Sequence, residues 1–200
     1  WKKMEIQIKK QVDNRGENKE MEAVKRTGGL VHIYCGNGKG KTTASVGAAV
    51  RAAGNGKTVL IKRFLKNDHS GEVEALKQVP GITVLPCTRQ FGFSWKMQQE
   101  EKEEAKEYYG EELEKAWKMA LDQEIDMLVL DEAVGACSLG FIEEERLLEL
   151  IGSKPEKLEV ILTGRNPSKI LLAAADYVTE MVMRAHPYTR GIPARKGIEY

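Results

Sequence analysis

A glycine-rich segment between a short apolar run and a helical pattern has the residue types of a phosphate site. It reads Gly36-Asn37-Gly38-Lys39-Gly40-Lys41-Thr42-Thr43. Because glycine lacks a Cβ, successive backbone N–H groups can turn toward one ligand, and the start of the following helix adds its dipole there. The Lys41 ammonium adds a charge, and the Thr42 hydroxyl can ligate a phosphate-bound Mg²⁺. This whole segment is therefore predicted to bind the polyphosphate of ATP or GTP.

The spacing of this loop departs from the usual phosphate-binding motif. That motif has four residues between its first glycine and the Gly-Lys pair, which would place a glycine where this chain has Cys35. We therefore expect a loop that is effectively one residue tighter than usual.

A pair of carboxylates follows another apolar run. Met127–Leu130 is predicted to be a buried strand, and Asp131 and Glu132 come directly after it. Open α/β sheets build their sites at this end of a strand, and carboxylate oxygens suit Mg²⁺. We predict Thr42 and Glu132 as the metal ligands. Two other interpretations stay open: Asp131 caps the next helix while Glu132 is merely exposed, or Glu132 orients water in a hydrolytic ATPase.

The elements that must position these residues alternate along the chain. Short β-branched apolar runs, typical of strands buried on both faces, are separated by helical segments. This alternation predicts the α/β class: a mainly parallel sheet of about six strands flanked by helices. Together with the glycine-rich loop, it suggests the P-loop NTPase (RecA-like) architecture. The predicted strands are Leu30–Cys35, Thr58–Phe64, Ile82–Pro86, Met127–Leu130, Val160–Thr163 and Tyr177–Met183. The predicted helices begin near Lys41 or cover about Glu72–Gln78, Gln98–Asp122, Glu143–Ile151 and Ser168–Ala174.

Composition limits what the protein binds and where it works. The chain has 200 residues, 42% of them apolar, which is enough for one core. We predict a domain over residues 30–200 and an N-terminal arm over residues 1–29, either frayed or acting as a lid. A net charge of +1 gives no general attraction to nucleic acid or to a membrane, and no apolar run is long enough to span one. Three separated cysteines fit neither a disulfide framework nor a zinc site, so a cytoplasmic protein is expected.

The histidines offer no obvious catalytic group. His32, His69 and His186 lack carboxylate or cysteine neighbours at the spacing of a metal site or a catalytic triad. Since no side chain is marked for acid–base or covalent catalysis, the site is expected to position a polyphosphate and to stabilise its charge.

Several further segments share the pattern of one family. They are Gly92-Phe93-Ser94-Trp95, Leu130-Asp131-Glu132, Leu162-Thr163-Gly164-Arg165, Ala175–Met181, His186-Pro187-Tyr188, and Gly191 with Ala194–Tyr200. Together with the tight phosphate loop, they resemble the P-loop type of corrinoid adenosyltransferase. The resemblance runs from about Leu30 to Tyr200 and is far more specific than the loop alone.

The resemblance implies a reaction and its participants. The 5′-deoxyadenosyl group of ATP would pass to the Co(I) centre of a corrinoid, either cobalamin or cobyrinic acid a,c-diamide, with release of tripolyphosphate, as a step of adenosylcobalamin synthesis. The resemblance also implies Mg²⁺ with the ATP, a flavoprotein-type reductase as electron donor, a homodimer, and an arm that helps to cover the corrinoid. Because Co(I) is itself a strong nucleophile, the reaction needs stabilisation of the leaving group rather than a protein base.

The resemblance assigns catalytic roles to two aromatic residues. Phe93 and Trp95 are expected to wall off the lower face of the corrin, which would keep an axial ligand away from cobalt and make Co(I) easier to form. Without the resemblance, these rings and Phe91 would be interpreted as a hydrophobic plug of an ordinary core.

Charged residues are expected to act on the triphosphate. By resemblance, Lys41 and Glu132 are catalytic, the latter through Mg²⁺. Arg165, with Arg195 and Lys196 after it, is a candidate for contacts with phosphate or with corrin side-chain amides, although a surface salt bridge is an equally good interpretation of any one of them.

Two other functional classes fit the phosphate loop. A RecA-like ATPase would use Glu132 to activate water and would move a partner, whereas a nucleotide-sensing module would bind ATP without turnover. The near-neutral charge argues against a DNA motor. The C-terminal segments that resemble the adenosyltransferases argue against both classes.

Overall fold

A single parallel sheet organises the part of the chain that the structure describes. The computed structural model describes residues 28–67, 70–92 and 94–199; Phe93, Asp68, His69, Tyr200 and most of the predicted arm lie outside them. Six strands pair in the order β3-β2-β4-β5-β1-β6, and every neighbouring pair is parallel. They are β1 Val31–Cys35, β2 Val59–Arg63, β3 Ile82–Val84, β4 Met127–Asp131, β5 Glu159–Thr163 and β6 Tyr177–Glu180. The predicted fold class is confirmed.

Helices pack on both faces of this sheet. They are α1 Lys41–Ala53, α2 Gly71–Leu76, α3 Gln99–Asp122, α4 Ala133–Ser138, α5 Glu144–Gly152 and α6 Lys169–Ala173. One face carries α1 and α2, which bury Ala49 and Leu76 against the strands. The other face carries α3 to α6, and α3 contributes Tyr109, Leu113 and Trp117 to the larger core. Among the described helices, none is both long and apolar enough to cross a membrane.

The continuous apolar runs of the sequence follow from this layering. In β2, Leu60 belongs to the core on the α3 side, as does Phe64 directly after the strand, whereas Val59 and Ile61 belong to the core on the α1 side. Successive side chains of a strand point to opposite faces, so a strand covered on both faces is apolar at consecutive positions.

β3 ends at Val84 rather than at Pro86, and two other differences from the predicted elements lie close to the site. β6 ends at Glu180 rather than at Met183, because the residues after it leave the sheet and hydrogen-bond to the phosphate loop. The short helix α4 was not predicted, since its sequence Ala-Val-Gly-Ala-Cys-Ser contains a glycine and buries four consecutive residues, so it shows no amphipathic pattern. Both differences lie at the carboxyl end of the sheet, where contacts between distant segments decide the local structure.

The strand order brings the carboxyl ends of β4, β5 and β1 to one edge. Tyr34 of β1 is paired with Thr163 of β5, and Leu130 of β4 is paired with Leu162 of β5. The phosphate loop leaves β1 at this edge, and Asp131 is the last residue of β4. The loop and the carboxylates, 89 residues apart between Thr42 and Asp131, therefore meet in space.

Candidate active site

The turn of the phosphate loop depends on its glycines. Gly36 and Gly40 have φ values of 100° and 119°, in the left-handed region that residues with a Cβ disfavour. A Cβ added at Gly36 would lie 2.4 Å from the Met181 carbonyl oxygen, and one at Gly38 would lie 2.7 Å from it. The segment after β6 therefore lies directly against the loop, and the approach is too close for any side chain.

Hydrogen bonds fasten that segment to the loop. The Gly38 N–H donates to the Met181 carbonyl oxygen at 2.7 Å. The Met183 N–H donates to the side-chain oxygen of Asn37 at 2.9 Å. The chain that leaves β6 thus holds the loop in its turn, and Asn37 is one of the contacts that hold it.

Lys41 lies buried inside the loop. Its ammonium donates to the carbonyl oxygens of Gly36 at 2.8 Å and Gly38 at 3.0 Å. Burial lowers the pKa of Lys41, while the neighbouring Glu132 carboxylate acts in the opposite direction. Hydrogen bonds to an anion are stronger than those to neutral carbonyls, so a bound phosphate would compete for this ammonium.

The Asp131 carboxylate, only 1% exposed, joins three other elements. It accepts hydrogen bonds from the Thr42 hydroxyl at 3.0 Å and from the Thr163 hydroxyl at 2.6 Å. The Lys66 ammonium lies 2.5 Å from its other oxygen and 2.6 Å from the Thr42 hydroxyl oxygen. Asp131 therefore ties β4 to the first turn of α1, to β5 and to the chain that follows β2.

Glu132 has a different environment from its neighbour. Its φ of 61° is in the left-handed region, which is rare for a residue with a side chain. Burial raises the pKa of Glu132, and the adjacent Asp131 carboxylate raises it further. No hydrogen bond from another described residue reaches its carboxylate oxygens, although its N–H donates to the Thr163 hydroxyl at 2.9 Å. The backbone is thus fixed while the carboxylate is left for a ligand.

These residues surround a polar cavity of about 660 Å³. Its lining includes most of the predicted phosphate ligands and the other charged residues of the site: Asn37, Gly38, Lys39, Gly40, Lys41, Thr42, Thr43, Lys66, Glu132 and Arg165. The C-terminal residues Gly197, Ile198 and Glu199 form another wall. They are held there by the Lys39 ammonium, which donates to the Ile198 carbonyl oxygen at 2.9 Å.

A second cavity of about 400 Å³ has aromatic walls. Trp95 lines it and is 74% exposed, whereas Phe91 lines it and packs against Tyr108 and Tyr109 with ring centroids 5.6 and 5.5 Å apart. Phe91 therefore fits the interpretation as part of the core, and Trp95 does not. Lys66 lines this cavity as well as the polar one, so the two cavities adjoin.

The structure brings most of the predicted site residues together. Gly36 does not line the polar cavity, but its carbonyl oxygen accepts a hydrogen bond from the Lys41 ammonium. Phe93 lies outside the described residues, so its predicted role rests on the sequence. Arg195 pairs with Glu199, at 3.0 Å, and not with the loop. The roles assigned to these residues remain predictions.

The sequence analysis missed three features of the site. It treated Asp131 as half of a carboxylate pair or as a helix cap, and it gave no role to Lys66 or to Glu199. The available signal for Lys66 was a lysine just after an apolar strand, at the edge of the sheet where sites form. No local pattern placed Glu199 beside the loop.

The oxygens at this site fit Mg²⁺. Thr42, Asp131 and Glu132 provide hard oxygen atoms beside the phosphate loop. The described residues include no group of three or more His, Cys, Asp or Glu side chains able to hold a metal ion. This donor set suits an ion held jointly by a few protein oxygens and by phosphate, as Mg²⁺ is in many nucleotide sites.

Taken together, the parallel sheet, the glycine-rich loop and the carboxylates at its edge define a P-loop nucleotide-binding protein. Residues 27–200 match the family described as ATP:corrinoid adenosyltransferase BtuR/CobO/CobP. The chain belongs to this family. The recognition made from the sequence and the predicted class of enzyme, an ATP:corrinoid adenosyltransferase, are therefore confirmed.

Curated relatives share this similarity over nearly their whole length. The chain is 34% identical to a corrinoid adenosyltransferase of Pseudomonas aeruginosa, over 86% of this chain and 84% of the relative. It is 30% identical to a corrinoid adenosyltransferase of Escherichia coli K12 and to the corrinoid adenosyltransferase CobA of Salmonella typhimurium. Both of these alignments cover 100% of this chain and 97% of the relative. A solved KaiC-like protein of Pyrococcus horikoshii is 16% identical, with a TM-score of 0.47 over 78% of this chain and 73% of that one.

Replacing Glu132 by Gln should stabilise the nucleotide-free protein. Because burial and Asp131 raise the pKa of Glu132 in the folded state, the ionised carboxylate destabilises the fold as pH rises above its unfolded pKa. Each unit of difference between the two pKa values is worth about 1.4 kcal/mol, or roughly 3–6 °C in Tm for a chain of this size. The Tm of Glu132→Gln should therefore be higher than that of the wild type at pH 8, and the difference should be smaller at pH 5.

The exposed Glu145 on α5 provides a matched control, since Glu145→Gln removes the same charge at a position that faces solvent. A Tm difference for Glu132→Gln that is absent at pH 8, or that grows as the pH falls, would contradict the assignment.

Proposed function

We propose that this protein catalyses attack of a corrinoid Co(I) centre on the C5′ atom of ATP. The cobalt electron pair forms the cobalt–carbon bond, the bond between C5′ and O5′ breaks, and its electrons leave with tripolyphosphate. Cobalt is thereby oxidised formally from Co(I) to Co(III). The observation that carries the proposal is the adjacency of a polar phosphate cavity and an aromatic-walled cavity, in a chain of the corrinoid adenosyltransferase family.

The polar cavity suits the leaving group. As the C5′–O5′ bond breaks, negative charge grows on the triphosphate. The phosphate loop, Lys41 and Arg165 line this cavity, so their N–H groups and positive charges are in place before the reaction. Preorganised donors of this kind lower the barrier where charge develops, and a nucleophile as strong as Co(I) requires no protein base.

Mg²⁺ fits the same account as a cofactor held by few protein ligands. The Thr42 hydroxyl and the carboxylates of Asp131 or Glu132 would hold it beside the phosphates. When bound, it would neutralise charge on the phosphate oxygens. Since Glu132 accepts no hydrogen bond from the described residues, its carboxylate can serve the metal or a metal-bound water without losing a protein contact.

The second cavity suits a flat macrocycle. Trp95 exposes most of its indole ring there, and Leu65 and Leu139 add apolar surface. An aromatic wall offers cobalt neither a nitrogen lone pair nor a carboxylate, so it can displace an axial ligand without replacing it. Loss of that ligand makes the reduction to Co(I) easier, and the predicted role of Phe93 would add to this effect.

We also propose an assembly and a cellular setting, as the sequence resemblance implies. A homodimer, a flavoprotein-type reductase as electron donor, a place in the cytoplasm and an N-terminal arm that covers the corrinoid are part of the proposal, as is the domain over residues 30–200. Either cobalamin or cobyrinic acid a,c-diamide is an acceptable second substrate for the same chemistry.

Anaerobic incubation with Mg·ATP and chemically reduced cobalamin tests the reaction. The expected result is the spectrum of a new cobalt–carbon bond, with one tripolyphosphate formed for each corrinoid converted. Steady release of ADP without corrinoid would instead identify a RecA-like ATPase in which Glu132 activates water. Tight binding of ATP with no turnover under either condition would identify a nucleotide-sensing module.

Trp95→Ala should impair the reaction more from Co(II) than from Co(I). If the indole excludes the axial ligand, its loss should slow adenosylation by about tenfold when the assay starts from Co(II) and a reductant, equivalent to ~1.4 kcal/mol of barrier. With chemically prepared Co(I) the rate should fall much less, because the reduction of Co(II) to Co(I) has already taken place. Initial rates in the two assays, followed by absorbance, measure the difference.

Leu121→Ala is the matched control for this variant. Leu121 is also an exposed apolar residue, but it lies at the far end of α3, close to the amino edge of the sheet. Equal losses of rate for Trp95→Ala in the two assays would contradict the proposed role of Trp95.

A further inference from the structure

Lys66 contacts the oxygen atoms that are expected to bind a divalent cation. Its ammonium is 2.6 Å from the Thr42 hydroxyl oxygen and 2.5 Å from an Asp131 carboxylate oxygen. Thr42 and Asp131 are in turn hydrogen-bonded to each other at 3.0 Å. A positive charge from the protein itself therefore lies between the oxygens where Mg²⁺ would be held.

The backbone before Lys66 fixes this position. Leu65 has a φ of 54°, in the left-handed region, which is unfavourable for a residue with a side chain. The turn follows directly after β2, which pairs with β4 in register as far as Arg63 and Asp131. A strained turn that is kept in a folded protein commonly marks a functional position, and here it directs the Lys66 ammonium to the end of β4.

Two cations cannot share this position. Like charges in such close contact repel strongly near a protein surface, and a divalent ion doubles the repulsion that a monovalent one would meet. Lys66 is 24% exposed at its side chain, so it can move into the cavity when a stronger cation arrives. Its side chain lines both cavities, and that movement would leave its ammonium near their common boundary.

We propose that Lys66 occupies the divalent-cation position of the nucleotide-free protein and exchanges with the metal that enters with ATP. In the nucleotide-free protein the Lys66 ammonium neutralises Asp131 and keeps free metal from binding there. Once the metal has taken its place, Lys66 acts at the boundary of the two cavities, where charge develops on the departing triphosphate. This second part rests on the proposed function, whereas the exchange itself does not.

Binding of Mn²⁺ to the full chain without nucleotide or corrinoid tests the exchange. The EPR signal of free Mn²⁺ falls as the ion binds. Lys66→Met and Lys66→Gln should each bind Mn²⁺ at least about tenfold more tightly than the wild type, because the competing charge is gone. If one of these variants folds poorly, the other still provides the test. Lys66→Arg, which keeps the charge, should stay close to the wild type.

Lys39→Met controls for a general effect of charge. Lys39 lines the same polar cavity but contacts Ile198 and Glu199 rather than Thr42 and Asp131. Its replacement should change the Mn²⁺ affinity by less than about twofold. Unchanged Mn²⁺ binding in both Lys66→Met and Lys66→Gln, or an equal gain in Lys39→Met, would overturn the exchange.

A second measurement addresses the role of Lys66 after exchange. With Mg·ATP and pre-reduced cobalamin, Lys66→Met should lower kcat by roughly 10–100-fold without weakening the binding of Mg·ATP, because the metal no longer has to displace the ammonium. A weakened Kd with unchanged kcat would overturn this second part alone. Failure of adenosyl transfer in the wild type would refute the proposed function and leave the Mn²⁺ result standing.

Discussion

The buried carboxylate of Asp131 is the contact on which the site depends. Burying a charge is unfavourable unless partners surround it, and Asp131 has partners in the hydroxyls of Thr42 and Thr163 and the ammonium of Lys66. Each partner comes from a different segment, so one carboxylate fixes the phosphate loop, β5 and the exit of β2 relative to β4. The sheet supports it from below, because β4 lies between β2 and β5 and is buried at all five positions.

Adjacent residues at the end of β4 thus do different work. Asp131 is fully engaged by protein groups, whereas the left-handed backbone at Glu132 turns the next carboxylate into the polar cavity. Burial raises the pKa of Glu132, whereas a cation at the site would favour its ionised form. Since the arriving metal and the resident Lys66 are both cations, the phosphate cavity keeps a positive charge beside Asp131 with or without nucleotide.

The sequence predicted the sheet well because the strands are buried on both faces, and such runs are visible without any tertiary information. It predicted the phosphate loop for a similar reason, since glycines at close contacts are a local signal. The predicted end of β6 was wrong because the Met181 carbonyl oxygen and the Met183 N–H bond to the phosphate loop, although the Met181 N–H still donates to Cys35 of β1. Lys66 and Glu199 were missed because their importance depends on segments that are distant in sequence.

The central claim is that the loop holds the group that departs, not the group that is transferred. ATP labelled with ¹⁸O at the oxygen between C5′ and the α-phosphorus tests it directly, with mass analysis of the products after reaction with reduced corrinoid. Cleavage of the C5′–O5′ bond predicts that all of the label is found in tripolyphosphate and none in the corrinoid product. Label retained on the nucleoside would show that a phosphorus–oxygen bond breaks instead, and would contradict the account.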